Sequence, residues 1–261
     1  MKPFREILLS ALVLPVFAAC GGGAGPVPLD AAAALPLDAF RPAPEIAAAV
    51  DGLTARCMAR LGHDWAPDPV PAARPWESGL SIGLLDAAHA AEYGYRPPPR
   101  LRERLSTTDR AVRVAYAGPM PGETAPAGVP DGGCAGEARR ALAGPDTSIV
   151  SRLAGEAEDG AHADERGRAA LDAWSACMSG RGHRYAEPAE AQWQYWPEAV
   201  TDVERSLATA DVACKDAVGL PATWRGLVGA YQERLAAGHA AELDAVRRGQ
   251  DAQLAKARAA T

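Results

Sequence analysis

The side chains best suited to chemistry in this 261-residue chain are its five cysteines and five histidines. Their spacing repeats. Cys57-Met58 is followed by Gly62-His63 and Trp65, and Cys177-Met178 by Gly182-His183 and Tyr185. A second cysteine follows each copy, Cys134 after 76 intervening residues and Cys214 after 36. In an exported chain, four such thiols oxidise to disulfides with three possible connectivities. The repeat favours Cys57–Cys134 and Cys177–Cys214, because each pair then staples the two helices of its own half. A second chemistry is copper or zinc handling through Cys57, Met58 and His63 or Cys177, Met178 and His183, with His89, His162 and His239 as further ligands. Against it, the chain has no CxxC, no HExxH and only four methionines, and oxidised cysteines offer no thiolate. No metal site and no cofactor are assigned. Each Met is read as a core filler and each His as a capping or surface residue at a helix C-terminus.

Other catalytic signatures are missing: no SxxK, no Walker loop and no paired-glycine nucleotide fingerprint. With this many acidic residues, carboxylate pairs arise by chance, so no catalytic residue is assigned. Two features remain as candidate binding groups. Between Tyr93 and Tyr116 lie six arginines, Arg96, Arg100, Arg102, Arg104, Arg110 and Arg113, against Glu103 and Asp109. Such a local positive charge suits an anionic wall polymer or headgroup, and equally a solvated face. Trp76, Trp193 and Trp196 lie in the extended, proline-rich stretches after each Cys-Met helix, where a hydrolase site between the two halves would also fall.

Cys20 carries a different chemistry. Lys2 and Arg5 precede a 13-residue apolar stretch, Ile7 to Ala19, too short to span a bilayer and ending in small residues. Residues 1–19 therefore read as a signal peptide. Phe17-Ala-Ala-Cys20-Gly has the form of a lipobox, in which the cysteine is acylated and becomes the new N-terminus. Two or more acyl chains hold a protein stably on a membrane where one does so marginally. Residues 20–44, rich in Gly, Pro and Ala, read as the lipidated N-terminus and a flexible tether. After cleavage the formal net charge is −7, which argues against a nucleic-acid binder.

The elements that must position these residues are helical. Alanine supplies 59 residues and the chain has 24 arginines, three lysines and no asparagine, a high-GC bias that also favours helix. Ile46, Val50, Leu53, Cys57 and Leu61 recur at helical steps, and a second long pattern runs from near Ile149 to Arg181. Gly62 and Gly182 suit the left-handed position after each helix. A third helix has Thr201 as N-cap with Val203, Leu207, Ala210, Cys214 and Val218 on one face. Pro221 opens a long C-terminal helix whose polar end beyond Arg247 is expected to fray. The fold expected is mainly α with little or no β: one helical domain over 45–260, made of two pseudo-repeated halves, each stapled by a disulfide. The first half, 45–146, carries an insertion over about 79–133 with a short helix near Asp86 to Glu92; the second spans 147–260. Ala111 to Tyr116 is left open between strand and helix turn.

The lipobox with Cys20, Cys57-Met58 followed by Gly62, Tyr93-Gly94-Tyr95, Gly133-Cys134 with Glu137-Ala138, Cys177-Met178 followed by Gly182 and Tyr185, and Asp211-Val-Ala-Cys214 together resemble a family of secreted actinobacterial lipoproteins. That family often carries Phe where this chain has His63 and His183. The resemblance spans about residues 45–240. It implies a lipid anchor and a place on the outer face of the cytoplasmic membrane, and it implies no activity. The function expected is a non-enzymatic binding or envelope-interaction protein, with the membrane, an envelope protein or an anionic wall polymer as partner. An extracytoplasmic hydrolase and copper or zinc handling stand as alternatives.

Overall fold

A computed structural model describes residues 34–65, 80–96 and 109–260. The described residues are mainly helical, without strands, and contain the two disulfides Cys57–Cys134 and Cys177–Cys214. In chain order the α-helices are α1 (Pro44–Arg60), α2 (Ala87–Tyr93), α3 (Arg110–Ala117), α4 (Gly133–Ala141), α5 (Ser148–Ala163), α6 (Glu165–Gly180), α7 (Pro188–Trp193), α8 (Asp202–Ala217), α9 (Leu220–Gly238) and α10 (Ala240–Ala260). The open segment Ala111 to Tyr116 is thus helical, capped by the Asp109 carboxylate, which accepts from the Ala111 N–H.

The two Cys-Met helices end in the same way. Gly62 and Gly182 are left-handed, with φ of 79° and 86°. The His63 N–H donates to the Met58 carbonyl and the Gly62 N–H to that of Ala59; His183, Met178, Gly182 and Ser179 repeat the pair. These are the two bonds of a Schellman motif, which satisfies carbonyls that a helix end otherwise leaves open. Each motif histidine therefore caps through its backbone, and Met58 and Met178 are fully buried.

The halves are not equal in packing. The main core gathers α5, α6, α8 and α9 around Trp174, Met178, Leu207, Trp224, Leu227 and Val228, with Ile82, Leu84, Ala90 and Tyr95 joining from the segment before and through α2. That segment belongs by sequence to the insertion of the first half, yet α2 packs on α8 of the second. What remains of the first half is a smaller cluster of Cys57, Met58, Ala115 and Cys134 where α1, α3 and α4 meet. α10 joins the two by folding back along α1.

Several expectations need correction. The tether does not extend to residue 44: Leu35, Leu37 and Phe40 are buried, and the Leu37 N–H donates to Gln232 Oε1 at 3.1 Å. The long pattern from Ile149 to Arg181 is two helices, because Asp164 takes an extended conformation and caps α6 through the Arg166 N–H. The helix opened by Pro221 breaks at His239, and the polar end does not fray. Ala257 packs with Ile46, Ala49 and Leu142, while Gln250 and Gln253 donate to the carbonyls of Phe40 and Leu142. Leu207, Ala210 and Cys214 are buried as their spacing indicates, but Val203 is 71% exposed and Glu204 beside it is buried instead. Among the described residues no helix is long and apolar enough to cross a membrane.

Candidate functional site

The buried face of α8 is charged. Glu204, Asp211 and Lys215 are wholly inaccessible, and their spacing of seven and four residues puts them on one stripe. Lys215 Nζ donates to Asp211 Oδ2 at 2.8 Å and to the Leu84 carbonyl at 3.0 Å. Asp211 also accepts from Trp174 Nε1 at 3.0 Å and from the Tyr95 hydroxyl at 3.2 Å. Burial pushes the Asp211 carboxyl up and the Lys215 amine down, against the pull of their contact. Burial, then the Asp211 charge, raises the Tyr95 phenol, which remains a protonated donor.

Two turns before Asp211, Glu204 accepts from the Tyr95 N–H and from Arg96 Nε at 3.1 Å to each oxygen. The Arg96 guanidinium also donates to the carbonyls of Pro197 and Glu198. Arg96 is therefore an interior clamp and not a surface binding group, because each of its three nitrogens already donates to a protein oxygen and its side chain is only 13% exposed. Arg110 and Arg113 pair with Glu123, which they hold down at about 2 together with the Met120 N–H. Arg100, Arg102, Arg104, Trp76 and Cys20 lie outside the described residues.

The network fixes the segment 80–96 on the helical core, and a cleft of about 640 Å³ opens where that segment meets α7. Leu80, Ser81, Gly83 and Tyr95 line one part of it; Ala189, Gln192 and Trp193 of α7 line the other. No charged side chain is among these lining residues. Gly83 has φ of 80°, and a Cβ there would overlap Gln192 Oε1, so glycine lets the loop approach the amide. Gln192 Oε1 accepts from the Leu84 N–H at 3.2 Å, and its Nε2 makes no hydrogen bond within the described residues. Trp193 is 79% exposed at the rim. Trp196 stands behind, half-buried, its ring 6.0 Å from Tyr95 and its Nε1 donating to the Gln192 carbonyl. Of the tryptophans singled out in the sequence, Trp193 thus lines the cleft and Trp196 supports it.

Ser81, at the centre of Gly79-Leu80-Ser81-Ile82-Gly83, has GxSxG spacing and raises the question of nucleophilic chemistry, although it lies in a turn and not between a strand and a helix as a nucleophile elbow does. Its Oγ lies 2.5 Å from Glu158 Oε2 and 3.4 Å from His162 Nε2. A serine nucleophile needs an imidazole base that is itself oriented by a carboxylate. Here the carboxylate faces the serine instead, and also accepts from the Ser81 N–H and Trp224 Nε1, so it is a bracket joining the loop to α5 and α9. Histidines elsewhere are used locally: His89 bonds the Arg96 carbonyl and His239 meets Glu242. The four cysteines are spent in disulfides, and among the described residues no group of three or more His, Cys, Asp or Glu could hold a metal ion.

Sequence reading missed Tyr95, Gln192, Ser81 and the α8 stripe. The signals present were the GxSxG spacing around Ser81 and the i,i+4 pair Asp211 and Lys215, set beside Cys214 on an otherwise well-marked helix. A second, more open hollow of about 480 Å³ lies between Arg181 and His183 after α6 and Arg205, Ser206 and Thr209 of α8.

Fold and cleft together define a helical, disulfide-tied body with a small cleft whose described lining is uncharged. Comparison with protein-family models, curated proteins and solved structures gives no match for this chain.

Proposed function

We propose that this protein is an exported, lipid-anchored binding protein, held by acyl chains on Cys20 at the outer face of the cytoplasmic membrane, with the cleft between residues 80–83 and α7 as its ligand site. The observation that carries the binding reading is the cleft itself. Its volume falls in the range of small-ligand sites, its walls combine apolar surface with a few oriented polar groups, and an indole stands open at its rim. The anchor is supported by the lipobox at Cys20, by the resemblance to secreted lipoproteins, and by two disulfides of the kind an oxidising compartment maintains. Between binding and hydrolysis, the orientation of Glu158 toward Ser81 favours binding.

Two measurements test the parts separately. Growth with an alkyne-tagged palmitate is expected to label the full-length protein in the membrane fraction, and Cys20→Ala to abolish the label; an unlabelled, soluble wild type overturns the anchor. A photo-crosslinking residue at Ala189, within the cleft, is expected to give a discrete adduct in intact cells. Absence of any adduct there overturns the cleft as a binding site.

A further inference from the structure

Resting on the cleft as a binding site, we infer that its ligand is an uncharged glycan bearing acetamido groups, stacked on Trp193 and held by the Gln192 amide. The chemistry of the lining selects this class. Gln192 Oε1 is taken by the Leu84 N–H, so only the Nε2 donors face a ligand, and they call for an acceptor such as an acetamido carbonyl. The Ser81 hydroxyl proton is taken by Glu158, so Oγ can only accept, and it calls for a ligand hydroxyl. Tyr95 spends its hydroxyl on Asp211 and offers the cleft its ring. The Trp193 indole, 79% exposed, presents a flat face whose negative quadrupole attracts the weakly positive C–H groups of a pyranose.

One donor, one acceptor and a flat apolar face in an uncharged cleft match a neutral N-acetylated sugar. An anionic polymer fits poorly. Among the described residues no lining side chain carries positive charge, Glu158 stands directly behind Ser81, and the chain as a whole is −6. A peptide in extended form would need a row of backbone partners, whereas the lining supplies an isolated amide and an isolated hydroxyl.

Calorimetric titration of the full-length chain in detergent with chitohexaose and with cellohexaose, which lacks the acetamido groups, tests the inference. Chitohexaose is expected to bind, and cellohexaose at least tenfold more weakly. Trp193→Ala, at a side chain already in solvent, is expected to weaken chitohexaose tenfold or more. Gln192→Glu keeps the acceptor for the Leu84 N–H and removes the donors, and is expected to do the same; unchanged circular dichroism confirms that both variants fold. No binding of either sugar at millimolar concentration, equal binding of both, or binding that the two substitutions leave unchanged overturns the inference. So does loss of phosphatidylcholine-vesicle association in Trp193→Ala without any sugar binding, which would make the indole a membrane contact. If the Ala189 crosslink forms in cells while both sugars fail, the ligand class falls and the binding site stands; if both fail, both fall.

Discussion

Asp164 shows how much a single side chain does in this protein. Its carboxylate caps α6 through the Arg166 N–H, pairs with the Arg166 guanidinium at 2.8 Å and receives the Tyr231 hydroxyl at 3.4 Å. The Arg166 guanidinium leads in holding it down at about 2, below the usual carboxylate range. A carboxyl depressed on folding adds stability above its unfolded value, about 4, and that contribution is lost as pH falls toward 2. Asp164→Asn keeps a capping oxygen and removes the charge. It is expected to lower the thermal midpoint at pH 6 and to match wild type at pH 2; equal midpoints at both pH values would sink this account. Lys215 and Asp211 are the other test at this scale. Lys215→Met leaves a buried carboxylate without its cation and is expected to cost about 3–5 kcal/mol in urea unfolding. Adding Asp211→Asn neutralises that charge and is expected to recover most of the loss.

At the level of elements, the chain repeats a helix ending more faithfully than a helix packing. Gly62 and Gly182 both adopt positive φ with open space around them, so only the backbone conformation opposes a side chain there. Gly62→Ala and Gly182→Ala are each expected to cost about 1–2 kcal/mol. Gly52, inside α1 and equally open, has no such constraint, and Gly52→Ala is expected to stabilise by about 0.5–1 kcal/mol. Opposite signs in guanidinium unfolding would separate the motif from a general effect of glycine. The motif was legible because a Schellman ending depends on one residue type at one position. The start of α8 was not. Leu207, Ala210 and Cys214 face the core as their spacing indicates, but Val203 is exposed and Glu204 is wholly buried, since Arg96 and the Tyr95 N–H, arriving from more than a hundred residues away, pair with its charge. Polarity patterning assumes that charge meets water, and here it meets protein.

For the whole molecule, the disulfides tie together a core in which alanine leaves few large side chains. The loops they close, 77 and 37 residues in separation, correspond to about 4 kcal/mol each on the loop-entropy account. Their roles differ by location. Cys177–Cys214 joins α6 to α8 inside the main core, beside the helix that carries Glu204, Asp211 and Lys215, whereas Cys57–Cys134 lies in the smaller cluster of α1, α3 and α4. Replacing Cys177 and Cys214 by serine is expected to lower stability by about 4 kcal/mol and to alter the near-ultraviolet dichroism of Trp174. The Cys57 and Cys134 pair is expected to cost a similar amount with that signal retained. Identical spectra in the two variants would mean that the clusters do not separate as described.

Local rules were enough to predict helices, their glycine endings and the pairing of the repeated cysteines, because periodicity, capping and duplication act over a few turns of chain. They were also enough to mark Trp193. Tertiary structure alone decided that residues 80–96 leave their own half to pack on α8, that Leu35 and Phe40 belong to the core, and that Arg96 is an interior clamp. Those outcomes depend on apolar surface and buried charges finding partners far away in sequence. The same long-range pairing brings Ser81, Tyr95, Gln192 and Trp193 to one cleft, which no local pattern could assemble.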